Sequence, residues 1–459
     1  MSTALEKYKN MVNGKTVAVI GLGVSNQPLI KQLISLGAKV VARDRKKDAL
    51  ATELKEQFET EGVKFILGEE YLDGLCEDII FRTPGLKCYD PHLIEAAEKG
   101  CKITSEMQLF FELCPCPIFA VTGSDGKTTT TTLIYEMLTK QGFNCYKGGN
   151  IGAPLLPKIG IIKPTDIAVI ELSSFQLQDM KNSPDVAVIT NLSPNHLDYH
   201  ANMEEYVNAK ANIFLHQHRN DRLVYNYDNA VTREIVIRNR KRGTAFGKTP
   251  HGTRSVYLKD GSICYSGHFR EEKIVDIDKI RIPGAHNVEN YMAAIAAVMD
   301  YVDIENMVYV AENFGGVEHR IEFVREYNGV RYYNDSIASS PTRSAAGLRS
   351  FEQKLVLIAG GYDKNLDYTD LGVLINEKVK KLILVGATSE KIYNAVVSAS
   401  NYKDIIIERC MEFEEAITRA KEIAEKGDIV ILSPASASFD MFKNFEVRGN
   451  TFKDIVNKF

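Results

Sequence analysis

The chain has 459 residues, room for about three domains at roughly 100–200 residues each. Its 44% hydrophobic and 25% charged content is that of a globular protein rather than a disordered one, and 14 prolines with 32 glycines show no low-complexity bias. A net charge of −4, with both signs interspersed, leaves no basic field to gather a polyanion, so nucleic acid is not expected as a partner.

The opening stretch MSTALEKYKNMVNGK carries no apolar core, and no apolar run approaches the roughly 20 residues of a membrane helix. The expectation is a cytoplasmic protein with no membrane partner. Residues 16–20, TVAVI, form a short β-branched run that leads into Gly21-Leu22-Gly23, a helical pattern through Leu36, and a second run that ends at Asp44. Strand, glycine-rich turn, helix and strand make half of a Rossmann unit. Asn26 stands where the dinucleotide fingerprint has its third glycine, which argues against an NAD site. The eight cysteines are dispersed and read as free thiols; Cys114-Pro115-Cys116 lacks a second Cys/His pair and reads as a linker.

A second unit opens at Ile118, where IFAV runs into TGSDGKTTT and then a helix to about Lys140. Gly123 and Gly126 allow backbone N–H groups to turn inward, Lys127 offers a cation to the β- and γ-phosphates, and Thr128 a hydroxyl to Mg²⁺. The helix that follows adds its positive end to the same anion site. Val121 occupies the place of the first glycine of GxxxxGK[ST], so the loop is a shortened form. Apolar runs at 167–170 and 186–190 end in Glu171-Leu172-Ser173-Ser174 and Thr190-Asn191, where ligands of open α/β sheets bind, and Glu171 is suited to Mg²⁺. A third unit holds KLVLIAGG (354–361), KLILVG (381–386) and DIVILSPAS (428–436), the pattern of another doubly wound sheet. Glycine and polar residues near Glu106 and Gly315-Gly316 suggest boundaries that give 1–105, 106–316 and 317–459.

The shortened loop resembles the TGTNGKTT signature of the Mur ligase family of ATP-dependent amide-bond ligases, and the resemblance extends over nearly the whole chain. ELSSFQL (171–177) is similar to a segment of the D-glutamate-adding members. The resemblance implies an α/β fold in three domains: a Rossmann-like UDP-binding domain, a central P-loop-type ATPase domain with a mostly parallel sheet, and a Rossmann-like domain for the incoming amino acid. It implies a monomer that ligates D-glutamate to UDP-N-acetylmuramoyl-L-alanine through an acyl phosphate, a step of peptidoglycan precursor synthesis. The cofactors implied are ATP, two Mg²⁺ ions and CO₂, the last as a carbamate on Lys210.

By the same resemblance Gly123, Ser124, Asp125, Gly126, Lys127, Thr128 and Thr129 cradle ATP, with Asn287 and Asn290 of HNVENYMAAIAAV at the adenine and Arg320 and Asp335 at the nucleotide. Thr128, Glu171, His196 of NLSPNHLDYH and Lys210 of EEYVNAKANIF are implied metal ligands, and Lys127, His196 and Lys210 the catalytic groups. Ser25, Asp44, Arg45, Gly85, Asn150, Ser173 and His196 are implied contacts of the UDP precursor; Ser339, Lys364, Ser438 and Phe445 those of D-glutamate.

Two departures stand out: Asp125 replaces the more usual asparagine, and Ile337 replaces a lysine of the NDSKAT motif; Ser339 keeps the hydroxyl of the threonine it replaces. Three other readings stay open at this level. One is another ligase of the family, adding L-alanine, a diamino acid or a folylpolyglutamate residue. A second is an NAD-dependent oxidoreductase built on the first unit, which leaves the phosphate loop without a task. The third is a non-enzymatic P-loop switch.

Overall fold

The computed structural model describes residues 3–23, 26–196, 199–267 and 270–459. Its first sheet comprises β1 (Thr16–Ile20), β2 (Lys39–Asp44), β3 (Lys64–Leu67), β4 (Ile79–Phe81) and β5 (Lys102–Thr104). They run parallel in the order β3-β2-β1-β4-β5, so the winding reverses between β1 and β4. Such a reversal opens a crevice beyond the carboxyl ends of the strands. The helix Gln27–Ser35 buries Leu29, Ile30 and Leu33, the apolar stripe expected from its spacing.

The second sheet has nine strands: β6 (Ile118–Thr122), β7 (Cys145–Gly149), β8 (Ile167–Glu171), β9 (Val186–Ile189), β10 (Arg222–Asn226), β11 (Thr244–Gly247), β12 (Ser255–Lys259), β13 (Ser262–Gly267) and β14 (Arg270–Asp276). The order is β14-β13-β12-β11-β10-β9-β6-β8-β7; β12–β13 and β13–β14 pair antiparallel and the remainder parallel. Strand β6 thus lies between β8 and β9, with Val121 level with Glu171 and Thr122 level with Ile189. All five residues of β6 are buried, as a strand covered on both faces requires.

The third sheet comprises β15 (Glu322–Tyr327), β16 (Val330–Asn334), β17 (Leu355–Ala359), β18 (Val379–Val385), β19 (Ile406–Cys410) and β20 (Ile429–Leu432), in the order β15-β16-β20-β17-β18-β19. Only β15 pairs antiparallel. Alternate residues of its central strands feed two separate cores: Leu357, Leu382 and Ile431 on one face, Val356, Ile383 and Val430 on the other.

The mostly parallel α/β architecture expected from the sequence is therefore present. Residues 1–277 and 289–310 form one compact unit, and 278–288 with 311–459 a second. Within the first unit the first two sheets share a core that runs from Tyr8 and Leu33 through Phe110 and Leu156 to Ile170 and Phe214. Among the described residues no helix is long and apolar enough to cross a membrane. All eight cysteines are free thiols.

Candidate active site

The glycine-rich loop leaves β6 and enters the helix Lys127–Gln141, and its shape is set from outside. Gly123 has φ 156°, and a Cβ there would lie 1.9 Å from Thr190 Oγ1; Gly126 has φ 76°, and its Cβ would lie 2.2 Å from Asn290 Oδ1. No other residue fits either position. Asn191, just past β9, accepts from Ser124 N at 2.8 Å on its carbonyl and from Asp125 N at 2.9 Å on Oδ1. Thr190 Oγ1 donates to the Asp125 carbonyl at 2.6 Å. The Ser124 hydroxyl is buried, bonded to Ser193 O at 2.9 Å and sharing a hydrogen bond with Tyr206 at 2.8 Å, so any nucleotide contact falls to its backbone. The Asp125 carboxylate, by contrast, is on an exposed residue. Lys127 Nζ folds back on the carbonyls of Gly123 (3.0 Å) and Ser124 (2.8 Å). The helix that starts here has an uncapped first turn behind a left-handed Gly126, an arrangement that presents N–H groups to an anion. Thr129 is buried in that first turn.

Beside the loop, Glu171 closes β8 and is 1% exposed. Its Oε2 accepts from Thr128 Oγ1 at 2.7 Å and its Oε1 from Asn150 Nδ2 at 2.8 Å. Lys210, on the helix Met203–Leu215, is 2% exposed and donates to Thr122 Oγ1 at 3.1 Å. Burial, with the Lys127 charge nearby, holds its amine well below the usual lysine range, although Glu171 opposes the shift. The contacts of Lys210 are a hydroxyl and the face of the Tyr206 ring, 4.9 Å from Nζ, with no carboxylate at hydrogen-bond distance among the described residues. Asn290, 5% exposed, accepts from Thr130 at 3.3 Å on the neighbouring helix.

His196 has φ 54° and is exposed; its ring meets the edge of Phe175 at 5.0 Å. The same Phe175 contacts Tyr199 at 4.3 Å and stacks on His200 at 5.8 Å. His200 is buried, its Nε2 lies 2.9 Å from Ser174 Oγ, and burial pushes its pKa down. Ser173 spends its hydroxyl on a capping box with Gln176. Among the described residues no three His, Cys, Asp or Glu side chains gather as a metal cluster. The donors that suit Mg²⁺ are therefore the adjacent Thr128 hydroxyl and Glu171 carboxylate, a set that leaves room for phosphate oxygens.

At the end of the first sheet, Asp44 accepts from Leu22 N at 2.7 Å and Lys46 N at 2.8 Å, pinning the Gly21-Leu22-Gly23 turn across the β1/β2 ends. Arg45 is exposed and pairs with Glu69 at 3.0 Å, and Gly85 is exposed beyond β4. Ser25 lies outside the described residues.

The second unit brings its own set together. Asp335, past the end of β16, accepts from Ser433 Oγ at 2.8 Å and from Ile321 N at 3.3 Å. Burial raises its pKa to about 7, with these hydrogen bonds and then Arg320 and Arg343 acting the other way. Arg320 sits in a tight turn between His319 (φ 63°) and Ile321 (φ 44°). Ser438 is 2% exposed, Lys364 is exposed with its Nζ 5.6 Å over the Phe439 ring, and Ser339 is half-buried. The carbonyl of Phe445 accepts from Ser336 Oγ at 2.8 Å and its ring meets His319 at 5.9 Å. Asn287 Nδ2 donates to the Pro283 carbonyl at 2.6 Å.

Several positioning groups escaped the sequence reading. Thr122 and Tyr206 hold Lys210 and Ser124, and His200 is buried near His196, whereas Thr190 and Asn191, expected at a ligand-binding strand end, fasten the loop itself. Only Tyr206 carried a local signal, one helical turn before Lys210.

Residues 121–298 match the model of the Mur ligase middle domain and 319–436 that of the Mur ligase, glutamate ligase domain. The chain is 54% identical over its full length to the UDP-N-acetylmuramoylalanine–D-glutamate ligase of Acetivibrio thermocellus, covering 99% of that protein. It is 50% identical, with the same coverage, to the enzyme of that name from Ruminiclostridium cellulolyticum. Among solved structures, the MurF ligase of Thermotoga maritima in complex with ADP aligns with a TM-score of 0.57 at 20% identity, covering 100% of both chains. The UDP-N-acetylmuramate–alanine ligase of the same organism aligns at 0.57 and 18% identity, covering 97% of this chain and 99% of the other; at these identities the two structures share the fold.

Proposed function

The chain belongs to the Mur ligase family, and we propose that it forms the amide between the alanyl carboxylate of UDP-N-acetylmuramoyl-L-alanine and the amine of D-glutamate, converting ATP to ADP and phosphate. The choice of amino acid is carried by identity spread along the entire chain to relatives named for D-glutamate. Other amino-acid-adding members of the family are not favoured.

A carboxylate resists an amine because oxide is a hopeless leaving group. Transfer of the γ-phosphoryl group to a carboxylate oxygen makes an acyl phosphate and frees ADP. The D-glutamate nitrogen then attacks the carbonyl carbon, loses a proton, and the C–O bond to phosphate breaks. In our reading the backbone of residues 123–129 cradles the phosphates, and Lys127 lends its charge to the migrating group. Thr128 and Glu171 would hold Mg²⁺, which when bound neutralises phosphoryl oxygens. Burial favours the neutral form of the Lys210 amine, the form that takes up CO₂, and as a carbamate it would offer anionic oxygens to a second ion, with His196 as a further ligand.

The remaining assignments belong to the same proposal. Asn287, Asn290, Arg320 and Asp335 would bind the nucleoside; Asp44, Arg45, Gly85, Asn150 and Ser173, with Ser25 and His196, the UDP precursor; Ser339, Lys364, Ser438 and Phe445 the D-glutamate. Three functional domains, 1–105, 106–316 and 317–459, would divide these tasks, in a monomer working in the cytoplasm. Phosphate release with UDP-N-acetylmuramoyl-L-alanine and a panel of amino acids tests the reading. Stimulation by D-glutamate is expected; stimulation by L-glutamate or L-alanine without it would end the assignment.

A further inference from the structure

Arg448 is among the largest side chains buried below 2% exposure, and among the described residues it has no carboxylate at hydrogen-bond distance. It sits in the first turn of the helix Phe445–Val456, where the helix's own positive end makes a cation unwelcome. Burial accordingly pushes the guanidinium down to about 10, with Asp440 offering partial compensation from a distance. A charge held at such a cost is fixed by what it bonds.

Its partners come from two strand ends. Nε donates to Ser336 Oγ at 3.0 Å and Nη2 to Ser336 O at 2.9 Å, in the loop that follows β16. Nη2 also donates to Ser436 O at 3.1 Å and Nη1 to Ala437 O at 3.0 Å, in the loop that follows β20. A third strand end closes on the same group: Tyr362 N donates to Ala437 O at 2.9 Å, and a Cβ on Gly361 would lie 3.1 Å from Nη1. Since β16, β20 and β17 are neighbours in the sheet, the planar fork of one guanidinium bonds two adjacent carboxyl ends directly and is tied to the third through the Ala437 carbonyl. Ser336 in turn donates to the Phe445 carbonyl, tying the loop back to the start of the helix.

We infer that Arg448 is the positioning residue of the D-glutamate pocket, holding in register the three loops that carry Ser339, Ser438 and Lys364. The inference rests on the function proposed above. It requires the fork rather than the charge: the three N–H donors of a lysine radiate from one nitrogen and cannot reproduce the spread of Nε, Nη1 and Nη2 over the two bonded loops.

The test compares Arg448→Lys with the unaltered enzyme in steady-state kinetics for each substrate. The KM for D-glutamate should rise roughly tenfold or more, the scale of losing charge-assisted hydrogen bonds. The KM for the UDP precursor, whose proposed contacts lie in the other unit, should stay within about twofold, since uniform loss of folded enzyme changes neither constant. Should the lysine variant fail to fold, Ser336→Ala, which removes the acceptor of Nε, decides by the same two constants. A folded variant with an unchanged D-glutamate KM overturns the inference. Failure of the unaltered enzyme to use D-glutamate would instead overturn the function on which it rests.

Discussion

Thr128 donates its hydroxyl proton to Glu171 Oε2 at 2.7 Å, joining the first turn after the phosphate loop to the last residue of β8. A hydroxyl and a carboxylate at that distance are two of the oxygens a phosphate-bound Mg²⁺ needs. Thr128→Val keeps the shape and removes the oxygen. We expect the Mg²⁺ concentration for half-maximal rate to rise at least about tenfold, the order seen when one ligand or its support is lost. Initial rates across an Mg²⁺ titration measure this, and an unshifted midpoint would remove Thr128 from the ion's shell.

The Lys127 amine lies across the loop carbonyls of Gly123 and Ser124. Lys127→Ala should lower kcat by about 10²–10³, the cost of deleting a donor aimed at developing charge. Full peptide synthesis by that variant would leave the proposed phosphoryl transfer without its cation.

Lys210 should carry CO₂. The amine is buried and its pKa lowered, which favours the unprotonated form that adds CO₂. Incubation with ¹³C-bicarbonate should give a carbamate carbon resonance in the unaltered protein and none in Lys210→Arg. The same signal in both proteins would place the modification elsewhere.

Asp335 makes stability depend on pH in a stated direction. Its folded-state pKa is about 7, against a usual value of 3.8. Below about pH 4 both states are protonated and the stabilisation of the neutral acid is complete; it is lost as pH rises towards 7, where folding must bury a carboxylate. Asp335→Asn mimics the neutral acid. Its unfolding free energy should match the unaltered protein near pH 4 and exceed it above pH 7, with about 4 kcal/mol as the ceiling for a gap of about 3 in pKa. Urea unfolding followed by circular dichroism at the two pH values reads the difference; a gap that is largest at low pH would contradict the burial argument.

Much of this arrangement was legible in the sequence because it is local. The run 118–122, the turn glycines and the helix after them are contiguous, and the buried parallel strands announce themselves as unbroken apolar runs such as 355–359 and 429–432. What stayed hidden depends on residues far apart in the chain. Tyr206 reaches Ser124 across 82 positions, and Arg448 reaches Ser336 across 112. An arginine in a helical, amphipathic stretch reads as a solvated surface residue, and no spacing rule reveals that its fork is buried. The internal bonds of Asn150 to Glu171 and of Ser173 to its own helix start are likewise invisible in the sequence.

The phosphate loop is fastened by Thr190, Asn191 and Ser193, which lie 65 to 69 positions further along the chain. During synthesis on the ribosome, residues 122–128 would leave the exit tunnel well before their fasteners, and closing so long a connection costs entropy before any contact repays it. The proposed nucleotide cradle is thus a product of completed sheet assembly, and on that proposal a nascent chain would remain blind to ATP until β9 has docked against β6.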